Sequence, residues 1–257
     1  MSKKRILILI PARFASSRFL GKPLAEIHGI SMIQRVWENC SKALEQGFEF
    51  NTYVVTDDQK VEDHVKSFSP NVIRVDDDVI SGTLRIQLAY ENNFKNQNYD
   101  LVINVQGDEP LLESKDLVRL AKFHLESNFD IATLVKKQLG FKDEFFDPNK
   151  VKVVLSESSG ACFYFSRAGI PFKRDSDTNI ANDYWFLHIG VYSYRPNILI
   201  QFANHSETRL ENLEKLEQLR ALEMGFSIGS CPTESVMIGV DRPEDIKKVE
   251  EVLSGRK

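Results

Sequence analysis

The sequence predicts an α/β protein built on a parallel, doubly wound sheet, with an antiparallel insertion in its second half. Three observations carry this. Two short runs, Arg5–Ile10 and Leu101–Val105, are almost wholly aliphatic, as in strands buried on both faces. Strand-like runs then alternate with one-sided helical patterns as far as Val135, the mark of parallel strands joined by helices. After Asp147-Pro148 the alternation stops, and Val151–Leu155 and Cys162–Ser166 flank Ser158-Ser159-Gly160 like the arms of a hairpin.

Each element has its own reason. The run Arg5–Ile10 stops at Pro11, and a loop follows. Ser31 reads as the cap of a helix whose apolar side is Met32, Ile33, Val36, Trp37, Cys40, Ala43 and Leu44, with Gly47 as its stop. Thr52–Thr56 is a short strand, and Gln59 to about Phe68 is a polar helix. The strand Val72–Val75 runs into an acidic loop, Asp76–Asp78, that leads to Ser81-Gly82-Thr83 and a further helix. Leu101–Val105 ends in Gln106-Gly107-Asp108-Glu109-Pro110, and Ser114 caps a helix to about Ser127. Ile131–Val135 closes the alternating series. Trp185–Tyr194 is a long strand carrying His188, Tyr192 and Tyr194. Helices at about Asn197–Ala203 and Asn212–Met224, a strand near Phe226–Ser230 and a helix begun by Pro243 complete the chain.

Composition narrows the function. With 33 Lys+Arg against 37 Asp+Glu in 257 residues, the net charge of −4 excludes a strongly basic nucleic-acid binder. The hydrophobic fraction of 42% can build a large core, and neither a linker nor a repeat marks a boundary, so one domain is expected over 1–257. The apolar stretch Ile6–Pro11 is far shorter than a membrane span, and no cleavage site follows it, which predicts a cytoplasmic protein without a membrane partner. Cys40, Cys162 and Cys231 lie far apart without CxxC spacing and read as buried apolar groups rather than a disulfide or zinc framework.

The chemistry gathers at the carboxyl ends of the buried strands, where open α/β sheets bind ligands. The loop Pro11–Pro23 carries Arg13, Arg18 and Lys22 together with Ser16, Ser17 and Gly21. Cations and turn amides so placed suit a triphosphate. Neither Walker A spacing nor GxGxxG is present. Asp108, at the end of its strand, is a hard carboxylate of the kind that holds Mg²⁺ with one further acid and substrate phosphates. Asp241, in Gly239-Val240-Asp241-Arg242-Pro243, is the second candidate; it reads equally well as the N-cap of the helix begun by Pro243. Read from the residues alone, Arg167 suits a carboxylate better than a bare surface role, whereas His188, mid-strand between Leu187 and Ile189, reads as a core histidine rather than a ligand.

Taken together, these motifs resemble one family. Pro11-Ala12-Arg13, Gly21-Lys22-Pro23-Leu24, Ser81-Gly82-Thr83, Asn104 to Pro110, Tyr164 to Ala168, His188-Ile189-Gly190 and Gly239-Val240-Asp241 look like the 3-deoxy-manno-octulosonate cytidylyltransferases, the CMP-Kdo synthetases, in the family's order and over nearly the whole chain. The resemblance implies a Rossmann-like nucleotidyltransferase fold and a Mg²⁺-dependent homodimer, with a sugar-binding and dimerisation section at about 148–225. It implies transfer of CMP from CTP to the anomeric hydroxyl of 3-deoxy-manno-octulosonate (Kdo), with release of pyrophosphate, for lipopolysaccharide synthesis. Arg13 and Lys22 would then grip the triphosphate, and Pro11, Ala12, Ser81, Gly82, Thr83, Arg85 and Gln106 would surround the nucleotide. Asp108 and Asp241 would hold Mg²⁺. Arg167, His188, Tyr192, Glu217 and Gln218 would line the sugar-acid pocket, His188 and Tyr192 sharing a strand face and at most one of Glu217 and Gln218 pointing squarely inward.

Two positions depart from the family pattern. Leu84 stands where the family usually has an acid, which opens the alternative of a modified Kdo, such as 8-amino-Kdo, or another 2-keto sugar acid. Leu20 replaces a common proline and changes loop stiffness without removing a charge. A non-catalytic paralogue that binds a nucleotide sugar is the remaining alternative, and retention of Asp108, Asp241, Arg13 and Lys22 argues against it.

Overall fold

The computed structural model describes residues 3–15, 19–75, 79, 81–174 and 183–255. Ser16, Ser17 and Arg18 of the basic loop and the acidic loop Asp76–Asp78 lie outside the described residues. In chain order the first elements are β1 (Lys4–Ala12), a 3₁₀ turn (Lys22–Leu24), β2 (Glu26–Ile27), β3 (Ile30–Ser31), α1 (Met32–Ser41), β4 (Phe48–Thr56), α2 (Gln59–Lys66), β5 (Val72–Arg74), α3 (Gly82–Asn93), β6 (Leu101–Val105) and α4 (Ser114–Glu126). They are followed by β7 (Ile131–Leu139), α5 (Asp143–Phe146), β8 (Lys152–Leu155), β9 (Cys162–Ser166), β10 (Tyr184–Tyr194), α6 (Pro196–Ala203), α7 (Arg209–Glu214), α8 (Gln218–Glu223), β11 (Ile228–Pro232) and α9 (Pro243–Gly255). The fold is α/β with a mostly parallel, mixed sheet, as expected, and its elements group into two compact units, Met1–Val118 with Ser235–Lys257, and Arg119–Glu234.

In the first unit β6, β1, β4 and β5 lie side by side and all parallel. Ile6 to Ile10 of β1 are fully buried, because a strand flanked by neighbours and covered by helices has no solvent face. β1 runs two residues past its expected end: Pro11 and Ala12 still pair with Val55 and Thr56 of β4, while the β6 ladder has finished at Leu9–Asn104. Pro11 therefore sits where no β6 partner asks for the N–H it lacks. Three helix starts are capped by side chains: Ser31 Oγ accepts from Gln34 N, Asp58 Oδ1 from Lys60 N, and Ser81 Oγ from Leu84 N. The C-terminal segment returns to this unit, and Val249 of α9 and Val240 pack with Ile27, Met32 and Leu111.

The second unit contains the expected antiparallel section. β10 pairs antiparallel with β7 and β8, and β8 with β9 in the hairpin around Gly160, while β11 is parallel to β7. The helix expected over Asn212–Met224 is two helices. The Thr208 amide donates to Glu211 Oε2 and starts α7 early, and Lys215 in the left-handed region (φ 51°) ends it before α8 begins. Helix α1 also stops at Ser41, short of the expected Gly47. All three cysteines are buried thiols rather than disulfides, and burial pushes the Cys162 thiol up to about 12.

Candidate active site

A cavity of about 290 Å³ opens at the carboxyl ends of β1 and β6 in the first unit. Pro11, Ala12, Arg13, Lys22, Gly82, Gln106, Asp108 and Asp241, all singled out from the sequence, line it, together with Ala15, Pro23 and Gly107. The last three were not singled out, although each lies inside a quoted motif or its loop. Gly107 is needed there: a Cβ would stand 2.9 Å from the carbonyl oxygen of Pro11. Gly82 approaches the same wall, 3.4 Å from Pro11 Cγ and 3.6 Å from Gln106 Oε1 on the same measure. The Nε2 amide of Gln106 donates to Asn104 Oδ1 at 3.4 Å, which turns its carbonyl end toward Gly82.

The charges of the cavity converge on Lys22. Gly21, left-handed at φ 70°, turns the loop into the 3₁₀ turn that presents it. Its ammonium lies 2.5 Å from Asp108 Oδ2 and 3.9 Å from Asp241 Oδ1, and donates to Val240 O at 3.0 Å. The segment of Asp241 is fastened beside Asp108, since Val240 N donates to Asp108 O. Asp245, not Asp241, accepts from the backbone amides of Asp241 and Arg242 at the start of α9, so the carboxylate of Asp241 is directed to the cavity. Arg13 donates to Val79 O. Of the remaining nucleotide candidates, Ser81 caps α3 and Thr83 is buried. Arg85, only 1% exposed, pairs with Asp57 Oδ2 at 2.8 Å and donates to Val75 O, joining α3 to the ends of β4 and β5.

The other expected residues lie in the second unit. The rings of His188 and Tyr192 are 5.3 Å apart, and His188 meets Phe165 edge-on at 5.0 Å. Burial pushes the His188 imidazole down to about 3, so it is neutral and a weak base at physiological pH. Burial also raises the Tyr192 hydroxyl well above its ordinary value, with Tyr194 and then the Glu217 carboxylate adding to the shift. Glu217 is half-buried 3.6 Å from Arg220, whereas Gln218 is buried and its Nε2 finds no partner among the described residues. Arg167 donates through Nε to Glu214 O, through Nη1 to Pro148 O and through Nη2 to Lys215 O. That leaves one N–H on each terminal nitrogen for a carboxylate. The fully buried Lys152 fixes this region by donating to Asp147 O, Lys150 O and Arg167 O.

A family model described as cytidylyltransferase matches residues 7–230. The chain belongs to the cytidylyltransferase family. Relatives within it extend over the full length. The 3-deoxy-manno-octulosonate cytidylyltransferase of Parabacteroides distasonis is 39% identical over 253 residues, covering 96% of this chain and 98% of that one. The 8-amino-3,8-dideoxy-manno-octulosonate cytidylyltransferase of Shewanella oneidensis is 44% identical over 253 residues, covering 97% and 98%. Among solved structures, CMP:2-keto-3-deoxy-manno-octonic acid synthetase complexed with CTP superposes with a TM-score of 0.87 at 32% identity, covering 99% of this chain and 100% of that one. The motif resemblance thus holds along the whole cytidylyltransferase chain. Among its described residues, no helix is long and apolar enough to cross a membrane.

Proposed function

We propose that this cytidylyltransferase transfers CMP from CTP to the anomeric hydroxyl of Kdo or of its 8-amino relative, releasing pyrophosphate and supplying an activated sugar acid for lipopolysaccharide. The observation that carries the reading is the convergence of Lys22, Asp108 and Asp241 on one point of a cavity that Arg13 also lines. Two carboxylates already gathered about a cation, with no softer ligand beside them among the described residues, fit Mg²⁺, which takes one or two acids plus substrate phosphates. Asp108 and Asp241 would hold it. Bound there, it supplies neutralising charge at the phosphates and lowers the pKa of a coordinated hydroxyl.

The chain's own residues do the rest by positioning and neutralisation. The sugar oxygen forms its bond to the α-phosphorus as the bond from that phosphorus to the departing pyrophosphate breaks. Arg13 and Lys22 bind the triphosphate and stabilise the charge gained by the leaving group. Pro11, Ala12 and Gly82 wall the nucleoside, and the outward carbonyl of Gln106 is an acceptor for the exocyclic amine of cytosine. Ser81, Thr83 and Arg85 support this wall by holding the start of α3. The sugar acid is read as bound by Arg167 through its carboxylate and by His188, Tyr192, Gln218 and Glu217 through its hydroxyls. The unpartnered Nε2 of buried Gln218 supports that assignment. His188 binds rather than shuttles protons, because a ring titrating near 3 is a poor base at neutral pH.

Leu84, half-buried in the first turn of α3, keeps the 8-amino sugar in view, as do relatives of that name at 43–44% identity. Pyrophosphate release with CTP and Mg²⁺, comparing the two sugars with mass analysis of the product, decides between them. Formation of a CMP-sugar is expected; no release with either acid would overturn the reading. We further infer one nucleotidyltransferase domain acting in the cytoplasm as a homodimer, in which the section at about 148–225 carries the sugar and subunit contacts. The exposed Phe163, Phe172 and Leu213 of that section offer apolar surface for a partner subunit. Sedimentation at twice 29.4 kDa is the expected result.

A further inference from the structure

The strand β10 contains an irregularity that changes what its side chains can do. Ile189 pairs with Leu134 of β7, and the next pair is Tyr192 with Thr133, so three steps along β10 match one step along β7. In a regular strand His188 and Tyr192, four residues apart, would be separated by about 13 Å. The bulge sets them against Val135 and Thr133, two residues apart on β7, and their rings come to 5.3 Å.

Thr133 sits in the bend. It is fully buried, and its Oγ1 lies 3.1 Å from Ile189 O, 2.9 Å from Val191 O and 3.1 Å from His188 Nε2. A hydroxyl has one hydrogen to give and lone pairs to receive with. Carbonyl oxygens only accept, so that hydrogen goes to the bulge carbonyls, and the lone pair facing His188 requires a proton on Nε2. Nδ1 is then the bare nitrogen, and Thr133 is the ring's one polar partner among the described residues. The two ring nitrogens are therefore not equivalent, and the second one is left as an acceptor.

We propose that Thr133 is a positioning residue: it closes the β10 bulge and holds His188 in the Nε2–H tautomer, so that Nδ1 accepts a hydrogen bond from a hydroxyl of the sugar acid. The identity of that donor rests on the function proposed above; the tautomer does not. Replacement by valine keeps the shape and removes the hydroxyl, while serine keeps the hydroxyl.

The test is nitrogen-15 NMR of the histidine rings in the full chain, with the His188 signals assigned by their loss in His188→Asn, together with kinetics of Thr133→Val and Thr133→Ser. Wild type and Thr133→Ser are expected to show protonated Nε2 and bare Nδ1 at neutral pH, and Thr133→Val a mixture of tautomers. The KM for the sugar acid is expected to rise about tenfold in Thr133→Val, the loss of one oriented hydrogen bond, with the KM for CTP little changed and serine restoring the wild-type value. An Nδ1-protonated ring in wild type, or in Thr133→Ser, overturns the proposal; these two proteins decide it even where the valine variant fails to fold. The expected tautomer without turnover on either sugar acid would leave the role of Thr133 toward the ring intact and overturn the function assigned to the site.

Discussion

Lys22 shows how one residue can serve both the protein and its substrate. Its ammonium, mostly buried, offsets the Asp108 carboxylate at 2.5 Å, so two acids can face one cavity without repelling each other apart. Removing Asp108 takes away a cavity charge while leaving the core untouched. Asp108→Ala is expected to lower kcat about a thousandfold, the scale of losing a charge that acts on the transition state, and to leave the melting temperature within a few degrees of wild type. Steady-state pyrophosphate release and a thermal melt check both; retained turnover would remove Asp108 from the site. The residue scale is also where the sequence was least informative. Thr133 is a single hydroxyl in the apolar run Ile131–Val135, and its only signal is that polarity.

Among the elements, the junction between β1 and β6 decides the shape of the cavity. The strands are adjacent and parallel, so the chain leaving β6 must pass the carbonyl of Pro11, and only a residue without a Cβ fits at Gly107. Gly107→Ala forces a contact of 2.9 Å against backbone, which cannot rotate away as a side chain would. The expected cost is about 1–3 kcal/mol of stability with weaker CTP binding, read by denaturant titration and calorimetry; unchanged CTP affinity would show that this turn is free to move. The buried Arg85–Asp57 pair works in the same direction, pinning the start of α3 to the ends of β4 and β5. Helix and strand types were legible because periodicity reports which faces are buried. The break at Lys215 was not, since the segment's composition suits one continuous helix and the left-handed residue is neither glycine nor asparagine.

At the scale of the whole molecule, buried histidines set a pH limit on stability. Burial lowers His124 to about 4 and His188 to about 3, both in the second unit and both below the ordinary value near 6.5. Above pH 6.5 both rings are neutral folded and unfolded, and their contribution is complete. As pH falls, the unfolded chain takes up protons that the folded one refuses, so stability declines until the folded values are reached. The expected loss between pH 6.5 and pH 5 is about 3 kcal/mol for the two rings together. Urea midpoints at the two pH values measure it, and an equal midpoint would mean that the rings are more open to water than their burial indicates. The sequence by itself determined the fold class, the main strands and helices and eight of the eleven residues that line the first unit's cavity, because aliphatic runs, caps and the loops after β1 and β6 are local features. Tertiary structure alone decided that Arg85 is an internal strut, that Arg167 is held by three carbonyls, and that a bulge brings His188 to Tyr192. Those outcomes depend on which strand lies beside which and in what register, and a pairing partner dozens of residues away leaves no mark on local periodicity.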